Sequence, residues 1–583
     1  MNLNNAGIRY EPDEKPPLPI IVGLGIQLAI LNISVTILVT TVVMRAAGQE
    51  EAYLSWAVFA AVAVSGLATA LQALRLGRLG MGHVLMMGSS GAFIAVSITA
   101  LTEGGPGLLA TLVVISALFQ FVLSDRLSLF RRVLTPTVSG TVLMLIPLSV
   151  MSAVITLLND VPEESPALAG PLSAFATLLV MCGLTLKATG ALRLWAPLIG
   201  VIAGAAVAAS FGLYDVARVA AASWIGFPGI EWSGFDFSFD TDFWALLPGF
   251  LLAAVIGTIR TTSSAVAIQR VSWRSPKAVD FRDVQGAAAA DSLGNLLCGV
   301  AGTIPNTAYS NGASMAQLTG VATRFVGISA GAAFLALAFL PKALALILAI
   351  PGPIVAAYLL VLMAMLFIVG VQMVVRDGID YRKGLIVGIS FWIGVCFESG
   401  EVFPDFFSEF AGGFLDNGMT TGGIVAIILT IFAENAGPRP DRVEVALDLS
   451  ALPGLREYFD KFASLNGWEE PMASRLQAAG EEVLLTLLRR GEDEGRRKRR
   501  MVLFARKEGD EAVLEFITGA DKRGNIQDQA ALLGAQAEEA GIEEEVSLRL
   551  LRHLATSIRH QQFHGASIVT VRVKAPRLGS SPG

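Results

Sequence analysis

The sequence predicts an all-α polytopic membrane protein of about fourteen spans in two inverted seven-span halves, followed by a soluble α/β domain at the C-terminus. Three observations carry this prediction. Of the 583 residues, 53% are hydrophobic. That excess is concentrated between Leu18 and about Phe432, in apolar runs of roughly 17–25 residues, the length that crosses ~30 Å of hydrocarbon. Connecting segments alternate between basic and acidic, and similar Pro- and Gly-marked segments recur roughly 215–220 residues apart. After Glu434 the composition turns to Arg, Glu, Lys and Gln with ordinary soluble patterning.

Taken in order, the chain divides into a segment 1–17, a membrane region 18–434 and a tail 435–583. Residues 1–17 lack the basic start and small-residue cleavage site of a signal peptide, so this segment is expected to be retained and cytoplasmic. Candidate spans lie at about 18–45, 52–74, 83–101, 107–124, 135–158, 169–187, 193–213, 243–267, 285–301, 308–321, 323–349, 353–375, 383–397 and 419–434. The segments 83–101 and 308–321 are too short or too rich in small residues for ordinary spans. With the N-terminus inside, cytoplasmic loops should be basic. The inner loops carry Arg75 and Arg78; Arg126, Arg131 and Arg132; Lys187 and Arg193; Arg270, Arg274, Lys277 and Arg282; and Arg376, Arg382 and Lys383. The outer loops carry Glu50 and Glu51; Glu103; Asp160, Glu163 and Glu164; Asp236, Asp240 and Asp242; and Glu398, Glu401 and Asp405. This alternation predicts an inner-membrane protein with both termini in the cytoplasm.

The repeat is carried by two pairs of segments. LTPTVSGTVLMLI (134–146) and IPGPIVAAYLLVL (350–362) both open with a Pro-flanked turn and run into a Leu-rich helix. GSSGAFIA (88–95) and PNTAYSNGAS (305–314) are rich in Gly and hydroxyl groups and hold comparable places in the two halves. Seven spans is an odd number, so the second half enters from the opposite side. Paired broken segments in corresponding positions point to a transporter's binding site. Small residues also serve close helix packing in membranes, but here the polar Asn, Thr, Tyr and Ser cluster rather than recur every fourth residue.

Arg260 stands inside the apolar run WALLPGFLLAAVIGTIRTTSSAVAIQ. A cation at span depth costs about 2.5–3.5 kcal/mol on insertion scales, so it should face protein or water. Three readings are open: a solute site, an ion pair with Asp291 in the next span, or snorkelling to the inner face near Arg270 and Arg274. Thr261, Thr262, Ser263 and Ser264 make a polar patch beside it. Ser310 and Asn311 are expected to cap a half-helix starting near Gly312, and Ser89 and Ser90 to do the same in the first half. Two helix N-termini and an arginine would make an electropositive midplane suited to an anion or to carbonyl acceptors.

The three cysteines, Cys182, Cys298 and Cys396, lie scattered in apolar runs, which argues against disulfides and a zinc cluster. His553, His560 and His564 in the tail lack a fourth ligand, so no metal is expected. No Walker loop, dinucleotide fingerprint or nucleophile elbow is present. The chain is not expected to be an enzyme, to need a cofactor or to bind nucleic acid.

On the residues YEPDEKPPLPIIVGLGIQ, GSSGAF, TPTVSGTVLMLI, WIGFPGIEW and above all GTIPNTAYSNGASMAQLTGVATR, the region 9–434 resembles the nucleobase–ascorbate transporter family, the nucleobase–cation symporters that include uracil and xanthine permeases. The resemblance implies fourteen spans as two inverted repeats, a core and a gate subdomain, a homodimer, and two short strands meeting at the substrate from spans three and ten. It implies substrate contacts at Ser90, Gly91, Arg260, Ser264, Tyr309, Ser310 and Asn311, and coupling to a proton or sodium ion. The chain departs from the family at these places. Arg260 stands where a glutamate is usual, Asn311 where an acid or glutamine is usual, Gly312 where asparagine follows, and Gly91 where an aromatic is expected. Asp291 is then the candidate for coupling.

The tail, from about 440 to 575, more loosely resembles the histidine-kinase-like ATPase fold of anti-sigma-factor kinases. AGEEVLLTLLRR resembles its first helix, and SLRLLRHLATSIRHQQFHGASIVTVRV its closing helix and strand. Thr486 stands at the magnesium-holding Asn, and no Asp-x-Gly-x-Gly box is present, so a degenerate regulatory domain is implied. The expected function is secondary transport of a purine- or pyrimidine-like solute. The alternatives are transport of a small organic or inorganic anion on the same fold, and a membrane-tethered signalling or ATPase protein whose tail acts.

Overall fold

A computed structural model describes residues 7–127, 135–229, 232, 234–275, 277–376, 378, 380–399, 402, 417–435, 441–491, 500–519, 525–528 and 549–574. Arg131, Arg132, Glu401 and Asp405 of the charge pattern lie outside them. The chain forms two compact units: residues 1–275 with 283–434, and residues 276–282 with 435–583.

The first unit is helical but for two four-residue strands. In chain order it comprises α1 (Leu18–Ala46), α2 (Glu51–Leu74), β1 (Met86–Ser89), α3 (Ile94–Glu103), α4 (Gly105–Asp125), α5 (Pro136–Ser149), α6 (Met151–Leu158), α7 (Ala169–Lys187), α8 (Ala191–Ser210) and the short α9 (Val216–Ala221). It continues with α10 (Thr241–Val271), α11 (Phe281–Val300), β2 (Asn306–Tyr309), α12 (Asn311–Thr319), α13 (Arg324–Ala338), α14 (Pro341–Leu348), α15 (Gly352–Arg376), α16 (Tyr381–Glu398) and α17 (Gly418–Asn435). Among the described residues, 8 helices are long and apolar enough to cross a membrane, or 9 if α13 and α14, bent by 82°, make one broken span. This is a multi-pass membrane architecture.

Two expected spans are not helices throughout. Region 83–101 is β1, a 3-10 turn at Gly91–Phe93 and α3; region 308–321 is the end of β2 followed by α12. The two strands pair antiparallel, Met86 opposite Tyr309 and Ser89 opposite Asn306, and Ser90 N–H extends the ladder to Pro305 O at 2.8 Å. Backbone groups freed from helices are thereby satisfied deep in an apolar protein, the only setting in which a membrane tolerates them. Glycine makes the crossing possible: a Cβ on Gly88 would stand 2.5 Å from Tyr309 Cε2, and one on Gly312 would overlap the Val84 carbonyl.

Helix starts follow their sequence signals. Thr135 accepts from Val138 N–H at 3.3 Å ahead of Pro136, Asp240 from Phe243 N–H at 3.1 Å, and Asp380 from Lys383 N–H at 2.7 Å. Packing sorts the unit into two groups. In one, α2 and α1 pack on α13, α4 packs on α10, and β1 and β2 lie among α1, α2 and α10; in the other, α15 packs on α5, α6 and α7, α7 on α8, and α16 on α5. A strap before α1 closes the end of the first group. Arg9 N–H and Tyr10 N–H donate to Gly320 O, Ala322 N–H donates back to Tyr10 O, and Arg274 makes paired bonds to Glu14.

The second unit carries a five-stranded antiparallel sheet in the order β3 (Asp441–Ala446), β4 (Arg500–Glu508), β5 (Glu511–Thr518), β7 (Ser567–Lys574), β6 (Ser557–Gln562), with α18 (Leu452–Leu465) and α19 (Glu470–Gly491). The expected α/β character is present, with two differences in detail. AGEEVLLTLLRR is the later part of the second helix, not the first. Residues 557–562 pair with 567–574 as a hairpin, so the closing helix is shorter than expected. His560 is buried and spent internally: its Nδ1 accepts from Ile526 N–H at 3.1 Å and its Nε2 meets Ser567 Oγ at 2.7 Å. Among the described residues no group of His, Cys, Asp or Glu is arranged to hold a metal.

Candidate solute site

The site is built where β1 and β2 cross. Beyond each strand the chain turns into a short helix, α3 after Ser90–Phe93 and α12 after Ser310. Neither start is capped by a side chain. The expected caps are therefore absent, for identifiable reasons. Ser89 Oγ is taken by Thr40 Oγ1 of α1 at 3.0 Å. Ser310 stands at the cap position of α12 without a side-chain bond. Asn311 is the first helical residue, and its Nδ2 donates to Asn32 Oδ1 at 2.7 Å. In the first half a 3-10 turn runs straight into α3, so Phe93 N–H is taken by Ser90 O and Ile94 N–H by Gly91 O; at α12, first-turn N–H groups that no side chain satisfies are left to water or a ligand.

Tyr309 is buried, with its hydroxyl donating to Ser89 O at 2.7 Å, which fixes the ring across the strand pair. Arg260, half-buried on α10, holds its guanidinium carbon 5.9 Å from the centroid of that ring. Among the described residues Arg260 has no ion pair and no hydrogen bond. The expected pair with Asp291 does not form. Asp291 is fully buried on α11, and its Oδ2 accepts from Gln120 Nε2 at 2.8 Å and Thr261 Oγ1 at 2.9 Å, while Oδ1 has no partner among the described residues. Snorkelling does not describe Arg260 either: a guanidinium over the Tyr309 ring faces the strand crossing rather than Arg270 and Arg274. Nor is Asp291 isolated from the crossing. Thir link runs through Thr261, whose Oγ1 also accepts from Ala308 N–H of β2 at 3.2 Å. On the other side, Asn295 joins Gln120 Oε1 at 2.8 Å and accepts from Asn306 N–H at 2.6 Å.

Of the other expected contacts, Ser90 is fully buried with its Oγ unpartnered. Gly91 lies against α15, where an added Cβ would come 3.2 Å from Leu366 Cδ1. A larger side chain there would need the Leu366 side chain to give way. Ser264 is buried one turn beyond Arg260 on α10, and Ser310 is exposed. The structure therefore brings Ser90, Arg260, Tyr309 and Asn311 to one crossing. The sequence reading missed Asn32, Thr36 and Thr40, spaced every fourth residue on α1 and packed against that crossing. Their spacing was the available signal, but in an apolar helix a threonine that bonds its own i−4 carbonyl, as Thr40 does to Thr36 O at 2.9 Å, reads as packing.

A cavity of about 380 Å³ opens between the two helix groups, lined by Thr99 and Glu103 of α3, Ser149, Asp242 and Glu398 among others. Ala95, one turn from Gly91, also lines it. Glu398 is anchored there by Ser149 Oγ at 2.6 Å and Gly418 N–H at 2.7 Å.

The sequence profile of the Permease family, the xanthine and uracil permease type, matches residues 20–400. The xanthine permease XanP of Escherichia coli strain K12 is 26% identical over 451 residues, covering 73% of this chain and 95% of that protein. The uric acid permease PucK of Bacillus subtilis strain 168 is 25% identical over 423 residues, covering 71% and 96%. Among solved structures, the murine Solute Carrier 26 family member A9 anion transporter, in its inward-facing state, aligns with a TM-score of 0.50 at 11% identity, over 74% of this chain and 71% of that one. That likeness is one of fold.

Proposed function

The chain belongs to the Permease family of xanthine and uracil permeases, and from that premise we propose that it moves a purine- or pyrimidine-like solute across the membrane by alternating access. The observation that carries the reading is a guanidinium with no ion pair or hydrogen bond among the described residues, held over Tyr309 between two uncapped half-helix starts. A planar ring stacks on an aromatic face, and its carbonyl oxygens accept from free N–H groups and from arginine. Tyr309 supplies the face, Arg260 and the first-turn amides of α12 supply donors, and Ser90, Ser264, Ser310 and Asn311 complete the lining.

On this reading the two strand–helix units are corresponding parts of two inverted seven-span repeats, about fourteen spans in all. The group containing β1 and β2 is the core, and the group around α15 is the gate. The protein lies in the inner membrane with both termini in the cytoplasm, and it works as a homodimer. The cavity beside α3 is the path by which solute reaches the crossing. Asp291, with one oxygen free and its other tied through Thr261 to the strand that carries Tyr309, is the group to take a coupling proton, or to hold sodium. The tail is regulatory: Thr486 spends its hydroxyl on Glu482 O at 2.7 Å, where a nucleotide-binding fold of this kind needs a magnesium ligand.

One observation favours a second reading. An unpaired guanidinium in place of the family's glutamate suits a solute that is itself an anion, either an ionised ring or a small organic or inorganic anion. Uptake into proteoliposomes decides between them. Labelled xanthine should be taken up and should compete with urate and uracil. Competition by simple carboxylates or inorganic anions, with none by the ring compounds, would replace the first reading by the second.

A further inference from the structure

The carboxamide of Asn311 is held in one orientation by a chain of hydrogen bonds that begins on a backbone carbonyl. Asn32 is fully buried on α1, and its Nδ2 donates to Leu28 O at 2.7 Å. A carbonyl can only accept, so that position must be the amide nitrogen, and Asn32 Oδ1 must point the other way. There it meets Asn311 at 2.7 Å. An oxygen facing it would repel, so the atom Asn311 presents to Asn32 must be its Nδ2. The orientation, usually a matter of choice between two near-identical atoms, is here dictated by Leu28. It leaves Asn311 Oδ1 directed away from Asn32, with no partner among the described residues.

The polarity matters because most of the crossing is donor-rich. Arg260 carries only donors, the first-turn amides of α12 are donors, and the Tyr309 hydroxyl is committed to Ser89 O. Asn311 Oδ1 is the acceptor whose orientation the protein fixes. A donor set with one fixed acceptor is complementary to a ring edge that offers N–H beside C=O, and it opposes a ring edge that offers a bare nitrogen lone pair. A buried group left facing a like partner is the strongest discriminator that a binding site has.

We propose that Asn32 is the residue that sets this specificity: by fixing the Asn311 carboxamide through the Leu28–Asn32–Asn311 chain, it makes the site select lactam rings over rings whose nitrogens carry no hydrogen. Asn32 is a positioning residue that touches Asn311 rather than the solute. The proposal deepens the nucleobase reading above and rests on it.

The test is competition against labelled xanthine in proteoliposomes by unlabelled xanthine and adenine. Adenine presents bare nitrogens in its six-membered ring where xanthine presents N–H groups. The full-length protein should prefer xanthine by about 10²-fold or more, the worth of leaving a buried polar group unsatisfied. In Asn32→Ala the Asn311 amide is free to turn its NH₂ group inward. Xanthine should bind more weakly, adenine better, and the preference should narrow by at least tenfold. Asn32→Asp, protonated at this buried position so that its O–H donates to Leu28 O as the amide does, still offers an oxygen to Asn311 Nδ2 and should keep the preference, which also decides the matter should the alanine variant fail to fold. A preference unchanged in Asn32→Ala, or lost in Asn32→Asp, overturns the role given to Asn32. If neither ring competes in the full-length protein, the nucleobase reading fails instead, and the proposal falls with it.

Discussion

Arg260 shows how far a single residue could be read from sequence. Its cost in an apolar span announced a function, but three placements were compatible with it, and only coordinates separate them. Asp291 lay within reach along the sequence, yet its Oδ2 is engaged by Gln120 and Thr261 and no ion pair with Arg260 forms. A planar fork is what a ring carbonyl or ring anion needs, and a lysine offers a compact, strongly hydrated point charge instead. Arg260→Lys is therefore expected to retain folding but lose roughly 10-fold or more in apparent affinity, measured as the half-saturating concentration for uptake. Gly312 gives a prediction of another kind. A methyl group there meets the backbone carbonyl of Val84, which no rotamer can relieve. Gly312→Ala should lower the yield of folded protein and its thermal midpoint, read by fluorescence-detected gel filtration, whereas Gly183→Ala, with open space around it, should leave both unchanged.

At the scale of elements, apolar length found the long helices α1, α2, α4 and α15 to within two residues at each end, and α10 to within four. It could not find β1 and β2. Four-residue strands bury completely and alternate nothing, so neither periodicity nor length marks them; clustered Gly and hydroxyl residues marked only that the helix is interrupted. The expected caps failed for a related reason. Ser89 and Asn311 are recruited by Thr40 and Asn32 from α1, some 49 and 279 residues away in sequence, and local capping rules do not see such partners. The strap before α1 carries a prediction about pH. Glu14 is held below the usual carboxylate range, chiefly by its bonds to Arg274. A carboxylate with a lowered native pKa stabilises above its unfolded value and loses that contribution as pH falls through the native one. Hydrogen-exchange protection factors, which correct for the chemical exchange rate at each pH, should thus stay high at Arg9, Tyr10, Ala322 and Arg324 through neutral and mildly acidic pH and fall only below the ordinary carboxylate range. In Glu14→Gln they should be low at neutral pH as well.

For the whole molecule, the division at residue 434 was legible because composition changes there abruptly. The arrangement of the membrane region into two helix groups was not, since it depends on which faces meet, and residues of both groups are equally apolar. The first unit has its own extended apolar core, and the second has another built from α18, α19 and the inner face of the sheet. A chain ending after residue 435 is therefore expected to fold and to transport, with a rate altered by at most a few-fold if the tail regulates. Loss of all uptake on that truncation, with the protein still folded, would move the activity toward the tail.

The central claim is that Arg260 binds the solute at the strand crossing. Its most direct test is equilibrium binding of labelled xanthine to the purified full-length protein and to Arg260→Ala, with thermal midpoints measured alongside. The structure predicts that binding falls by about 10–100-fold, the worth of hydrogen bonds to a charged donor, while the midpoint stays within a few degrees. An affinity unchanged in Arg260→Ala would contradict the site.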